Sequence, residues 1–246
     1  MKPIHERFQR NKRFDAQFDD VRPPVRWYPY VGQNFETGTK RVMVFAHNIP
    51  VKPSDYETKI QEWKAKDAWA DANTIGEYTY CRGRWTKAFQ SFVKGAVGLR
   101  ENYVRESYDE YSDPQVMDRV DAFISRISYL NFIQDLVRGE TQMAKPEASQ
   151  VEISKDINKE ILRILEVTHC ICWGADVYHY LVTTSGHKVL EQKSTPLRGF
   201  ATATIESSGR IVGLLKVHHP SMPEFRPYTP ETQTLISEFL NESRTT

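Results

Sequence analysis

The tetrapeptide His218-His219-Pro220-Ser221 follows directly on the apolar run Ile211 to Val217. A β-rich segment that ends this way carries an imidazole to the rim of a sheet and then turns sharply, because proline fixes φ and has no N–H to give to a ladder. That is the layout of an active site, with a surface turn that happens to contain histidine as the alternative. A second polar pair, His47-Asn48, follows the run Val42 to Ala46, and Asn131 ends another apolar stretch. If the runs before them are parallel strands, all three groups stand at carboxyl ends of strands, where open α/β sheets bind ligands. His47, His218 and His219 would make a metal site only if all three converged, and no spaced motif such as His-Glu-x-x-His supports one. His218 and His219 are expected to face opposite ways, because neighbours on a strand alternate.

The elements that must position these groups alternate along the chain. Val42 to Ala46 has five apolar residues without alternation, which reads as a strand buried on both faces. The loop His47 to Pro53 leads to Ser54-Asp55-Tyr56-Glu57, a capping box opening a helix to about Ala70. A helix is expected near Trp85 to Lys94 and another after Pro114, leading into a strand over Ile127 to Ile133. Gly139 to Ser149 reads as a polar connection, Lys155 to Glu166 as an amphipathic helix, Val167 to Gly174 as a strand and Ala175 to Leu181 as the start of a helix. Phe200 to Ile205 and Ile211 to Val217 resemble a hairpin, and Thr229-Pro230 starts the last helix with Thr as N-cap and Pro at its first position, running to about Asn241. The fold class is therefore α/β, a three-layer α/β/α arrangement with a mainly parallel central sheet.

At 246 residues there is chain enough for one large domain. Residues 1–26 mix charges with Phe8, Phe14 and Phe18 and read as an N-terminal extension lying on a single domain formed by residues 27–246. No apolar run approaches the ~18 residues of a membrane span. The charged start MKPIHERFQRNKRF lacks the core of a secretory signal, so a cytoplasmic protein without a membrane partner is expected. Of Cys81, Cys170 and Cys172, the last two fall on one strand face and read as buried reduced thiols. The net charge of +1 neither requires nor excludes a polyanionic partner.

The order of four stretches resembles the uracil-DNA glycosylase superfamily: VMVFAHNIP at Val42 to Pro50, SYLNF at Ser128 to Phe132, CICWGA at Cys170 to Ala175 and VHHPSM at Val217 to Met222. Trp173-Gly174 and the His-Pro-Ser are the most specific pieces. Ala46 stands where the family has Gly, His47 adds a residue to the polar tip, and Pro50 comes one residue late, so either Asn48 or His47 occupies the first catalytic position. The resemblance implies a DNA-repair hydrolase without cofactor, cleaving the N-glycosidic bond of uracil or a related damaged base. Its alternative is a member that binds a nucleobase, nucleotide or nucleic acid without cleaving it.

Under this resemblance His219 donates to the departing base oxygen and Asn48 orients the water or steadies the sugar; an amide cannot act as a strong base. Asn131 pairs with the base edge, Tyr30 or Phe35 (or Tyr28) stacks on the flipped base, and Lys52, Ser54 and Ser221 hold phosphates. Met222 enters the base stack as a wedge. Trp173 is expected in the core.

Overall fold

The computed structural model describes residues 10–21, 28–65, 86–98, 114–140, 144–227 and 229–241. Its strands are β1 (Tyr30–Val31), β2 (Val42–Ala46), β3 (Ile49–Val51), β4 (Ile127–Asn131), β5 (Leu136–Arg138), β6 (His169–Trp173), β7 (His187–Ser194), β8 (Ala201–Ser207) and β9 (Arg210–Val217). Its helices are α1 (Asp15–Asp19), α2 (Tyr56–Ala65), α3 (Thr86–Ala96), α4 (Pro114–Ile124), α5 (Ala148–Ile164), α6 (Ala175–Val182) and α7 (Pro230–Asn241). Cys81 and the polar stretch Asn102 to Tyr111 lie outside the described residues.

Among the described residues the main sheet runs β1-β4-β2-β6-β9-β8-β7. Its centre is parallel: β4, β2, β6 and β9 pair in one direction, whereas β1 on one side and β8 on the other run against it, and β7, antiparallel to β8, runs with the centre again. The sheet is therefore mixed around a parallel core. Every residue of β2 and β6 is buried, as unalternating apolar runs require. One face of the sheet packs Met43, Phe45, Cys170, Cys172 and Leu214 against Ile157 and Ile161 of α5 and Val177 and Leu181 of α6. The other packs Val44, Ile171, Leu215 and Val217 against Phe89 and Phe92 of α3, Val120 and Ile124 of α4, and Ile236 and Phe239 of α7. Helices thus cover both faces of an α/β sheet, and burial pushes the Cys170 and Cys172 thiols up, which disfavours the reactive thiolate.

Several elements differ from the sequence reading. The helix expected from Lys155 begins at Ala148, because Glu147 and Gln150 cap it reciprocally within the stretch read as a polar connection. Strands β1, β3 and β5 are two or three residues long, and β7 (HKVLEQKS) is exposed along almost its whole length, so none shows a hydrophobic pattern. Helix α2 starts at Tyr56, with Asp55 accepting the N–H of Lys59, and the Ser54 hydroxyl donates to the Asp55 side chain rather than closing a box with Glu57. Of the N-terminal segment, residues 10–21 enter the core: Phe14 and Phe18 are buried, the Phe18 ring lies 5.6 Å from that of Tyr28, and Arg10 pairs with Asp15 over the Tyr28 ring.

The feature that makes room for a site is a break in the β2–β4 ladder. Pairing ends at Ala46 opposite Asn131, and the chain pair re-forms as the separate two-stranded sheet of β3 and β5. Across the break the Phe132 and Ile133 N–H groups donate to the Ala46 and His47 carbonyls, which fixes the backbone from which His47 and Asn48 project.

Candidate active site

At the carboxyl ends of β2, β4, β6 and β9 lies a cleft of about 440 Å³, inside the ~300–1,000 Å³ of small-molecule sites. It brings together His47, Asn48, Asn131, His218, His219, Ser221 and Met222. Aromatic rings form part of its wall: Tyr129 and Phe89 meet edge to face at 5.3 Å, and Trp173 lies 5.5 Å from Tyr129 and 5.8 Å from His219. Trp173 is both core and wall, only 2 % exposed, and its indole N–H is buried without a partner.

His219 is held by the turn that proline imposes. The Ser221 backbone N–H lies 3.3 Å from Nδ1, and the Ser221 hydroxyl 2.7 Å from it. A backbone N–H can only donate, so Nδ1 is an acceptor and the ring proton resides on Nε2. Burial, and next the neighbouring His47, push the His219 pKa down to about 4, so the ring is neutral near pH 7. The result is an oriented, uncharged hydrogen-bond donor. Ser221, expected at a phosphate, commits its hydroxyl proton to this ring. Met222, 41 % exposed, donates its N–H to the His219 carbonyl and keeps its side chain at the cleft.

Asn48 is nearly buried, and its Nδ2 donates to the Ala144 carbonyl at 2.8 Å. With the amide nitrogen fixed in this way, Oδ1 is the atom free to accept from a ligand or water. Asn131 follows Tyr129 on the same strand face, and its carbonyl accepts from the Gln134 side chain. The His47 ring stacks on Tyr180 at 6.0 Å, with Nε2 enclosed 3.9 Å from Asp176. His218 and His219 line the same cleft, yet His218 Nε2 is tied to the Arg198 carbonyl.

Glycine is required at two points of this rim. Gly174, at φ +97°, turns β6 into α6 while its N–H donates to the Val217 carbonyl. A Cβ on Gly199, at φ +84°, would stand 2.1 Å from His218 Nε2. Gly199→Ala is therefore expected to displace His218 and to lower stability by roughly 1–3 kcal/mol, measured by urea unfolding. An unchanged midpoint would mean that the loop moves freely away.

Other expected contacts are not brought to the cleft. Tyr30 is buried in β1 opposite Tyr129, and burial raises its phenol pKa. Phe35 is fully buried in the core. Neither ring can stack on a ligand, since both are consumed in packing; Tyr28, held by Asp19 and Arg10, is in the same position. Lys52 and Ser54 are exposed on the β3–α2 connection and do not line the cleft. The wall residues Phe89 and Tyr129, together with Lys145, Lys216 and Asp176, were absent from the sequence reading. Only Tyr129 had a usable signal, its two-residue spacing from Asn131. Among the described residues no group of three or more His, Cys, Asp or Glu side chains could hold a metal ion, and no helix is long and apolar enough to cross a membrane.

The pH response of the fold follows from three histidines. Burial lowers the pKa of His47, His187 and His219 below the ordinary value of ~6.5. The unfolded chain then takes up protons before the folded one, so stability is complete above pH ~6.5 and drains as pH falls, the His219 share through about pH 4. Melting curves between pH 7 and 4 are expected to show this decline, with His219→Gln flattening its lower part; a flat profile would contradict it.

Fold and cleft define an α/β protein with a pocket of small-molecule size at the carboxyl ends of its parallel strands, lined by histidine, asparagine and aromatic side chains. No protein-family model matches the sequence, and no curated protein matches it.

Proposed function

We propose that the chain is a base-releasing glycosidase of the uracil-DNA glycosylase type, hydrolysing the N-glycosidic bond of uracil or a related damaged base in DNA. The observation that carries this reading is the convergence of Asn48, Asn131 and His219 on one cleft, with His219 locked as a neutral Nε2–H donor. Breaking the bond leaves negative charge on the base, and a fixed neutral donor stabilises it without having been strongly attracted to the uncharged ground state. Asn48 Oδ1 holds the water, Asn131 reads the base edge, and the Phe89, Tyr129 and Trp173 wall offers the apolar surface first assigned to Tyr30 and Phe35. Met222 supplies the exposed apolar tip for entering the stack.

A second reading keeps the cleft and drops the reaction: a protein that binds a nucleobase or nucleotide. Among the described residues Lys145 and Lys216 are the cationic side chains of the cleft and Asp176 also lines it, which favours this reading. The deciding experiment incubates the purified protein with oligonucleotides carrying a single uracil, hypoxanthine or xanthine and detects abasic sites by alkaline cleavage. Cleavage at one of these bases is expected. No cleavage at any of them, together with binding of the free base, would replace the enzyme with the binder.

A further inference from the structure

Asn48 cannot take a proton from the water it holds, and the ring beside it can. Three observations at His47 belong together. Its backbone is pinned at the ladder break, where Ile133 N–H donates to its carbonyl. Its ring packs in an offset stack against Tyr180, with centroids 6.0 Å and planes 25° apart, which restricts its orientation. Its Nε2 is enclosed without a hydrogen-bond partner, 3.9 Å from Asp176 Oδ2, a contact of charge rather than a hydrogen bond, which leaves Nδ1 as the nitrogen available to take a proton in a residue that lines the cleft next to Asn48. A cleft-lining histidine held beside a carboxylate has the makings of a general base with an electrostatic partner.

We propose that His47, backed by Asp176, is the group that takes the proton from the attacking water, while Asn48 positions that water. The inference rests on the base-release reading above. In the step, the water oxygen bonds to the anomeric carbon, its proton passes to His47 Nδ1, and the carbon–nitrogen bond breaks with its electron pair leaving on the base. His219 Nε2–H donates to the base oxygen that carries the charge. The imidazolium formed at His47 is compensated by the Asp176 carboxylate, and the released base anion is protonated by solvent. Among the described residues the charged and titratable groups around His47 are Asp176 and Tyr180 from α6, His219 from the end of β9, and Lys145 and Lys216 elsewhere on the cleft. Burial lowers the His47 pKa and Asp176 opposes this, so the ring is neutral near pH 7, as a proton acceptor must be.

The test is the pH dependence of single-turnover base release from a uracil oligonucleotide by the wild type, Asp176→Asn and His47→Gln. Wild-type rate is expected to fall with acidity through an acid limb below pH ~6.5. Asp176 is 69 % exposed, so its replacement leaves the fold intact. Asp176→Asn is expected to shift the limb to lower pH, because the group that raises the His47 pKa is gone. His47→Gln is expected to lose about 100-fold in rate and to lose that limb, leaving only the more acidic one of His219. A His47→Ala variant regains rate on addition of imidazole. If His47→Gln keeps the wild-type limb, or Asp176→Asn leaves it in place, the proton acceptor is another group and only this inference falls. A wild type that releases no base removes the base-release reading and the inference with it.

Discussion

If the chain releases a base as proposed, alanine at position 219 is expected to slow that release by about 100-fold, equivalent to ~2.7 kcal/mol of transition-state stabilisation, while DNA affinity stays within about threefold of wild type. The asymmetry follows from the state of the ring. A neutral donor locked by the Ser221 N–H gains little from an uncharged base and much from the anion that forms as the bond breaks. Single-turnover rates and equilibrium binding to a uracil oligonucleotide separate the two quantities. Equal losses in rate and affinity would place His219 in ground-state binding, and an unchanged rate would remove it from the reaction. Ser221→Ala retains the backbone N–H and is expected to have a far smaller effect.

Phe132→Ala is expected to give the largest loss of stability, about 3–5 kcal/mol. Phe132 is fully buried immediately after Asn131, with its ring 5.5 Å from Phe45 and 5.4 Å from Tyr180. Removing the ring empties the space between the sheet and α6, and it also withdraws support from Tyr180, on which His47 stacks. Urea unfolding is expected to show a lower midpoint at unchanged m-value, together with slower base release under conditions where the protein remains folded. A cost below ~1.5 kcal/mol would show that neighbouring side chains collapse into the space, and the link to His47 would then have no basis.

The parallel centre of the sheet was legible because β2 and β6 are buried on both faces and advertise this in unbroken apolar runs. The carboxyl-end groups were legible for the same reason: once the strands are placed, His47, Asn48, Asn131 and His219 follow at their ends. Strand β7 was not legible, because a polar edge strand owes its structure to pairing with β8 and not to its own side chains. The start of α5 was hidden in a polar stretch, because its first turn is stabilised by Glu147 and Gln150 rather than by an apolar stripe. Tyr30 and Phe35 were misjudged because the sequence Tyr-Pro-Tyr-Val-Gly-Gln-Asn-Phe has the composition of a ligand loop, whereas both rings are taken up by packing. The aromatic wall depends on which face of α3 meets the end of the sheet, information that is wholly tertiary.

The interruption between β2 and β3 bears on how such a site can change over time. In a continuous strand an added residue would invert every side chain that follows. Here the segment carrying His47 and Asn48 hangs between two separately registered ladders, Val42–Ala46 against β4 and Ile49–Val51 against β5, each fixed by its own pairs. A residue gained or lost at the tip is therefore absorbed locally, and neither sheet is forced to reorganise. The side chains at this point are exchangeable cargo on a fixed frame. Homologous chains are accordingly expected to vary in the length and chemistry of this tip far more than in the strands that bracket it.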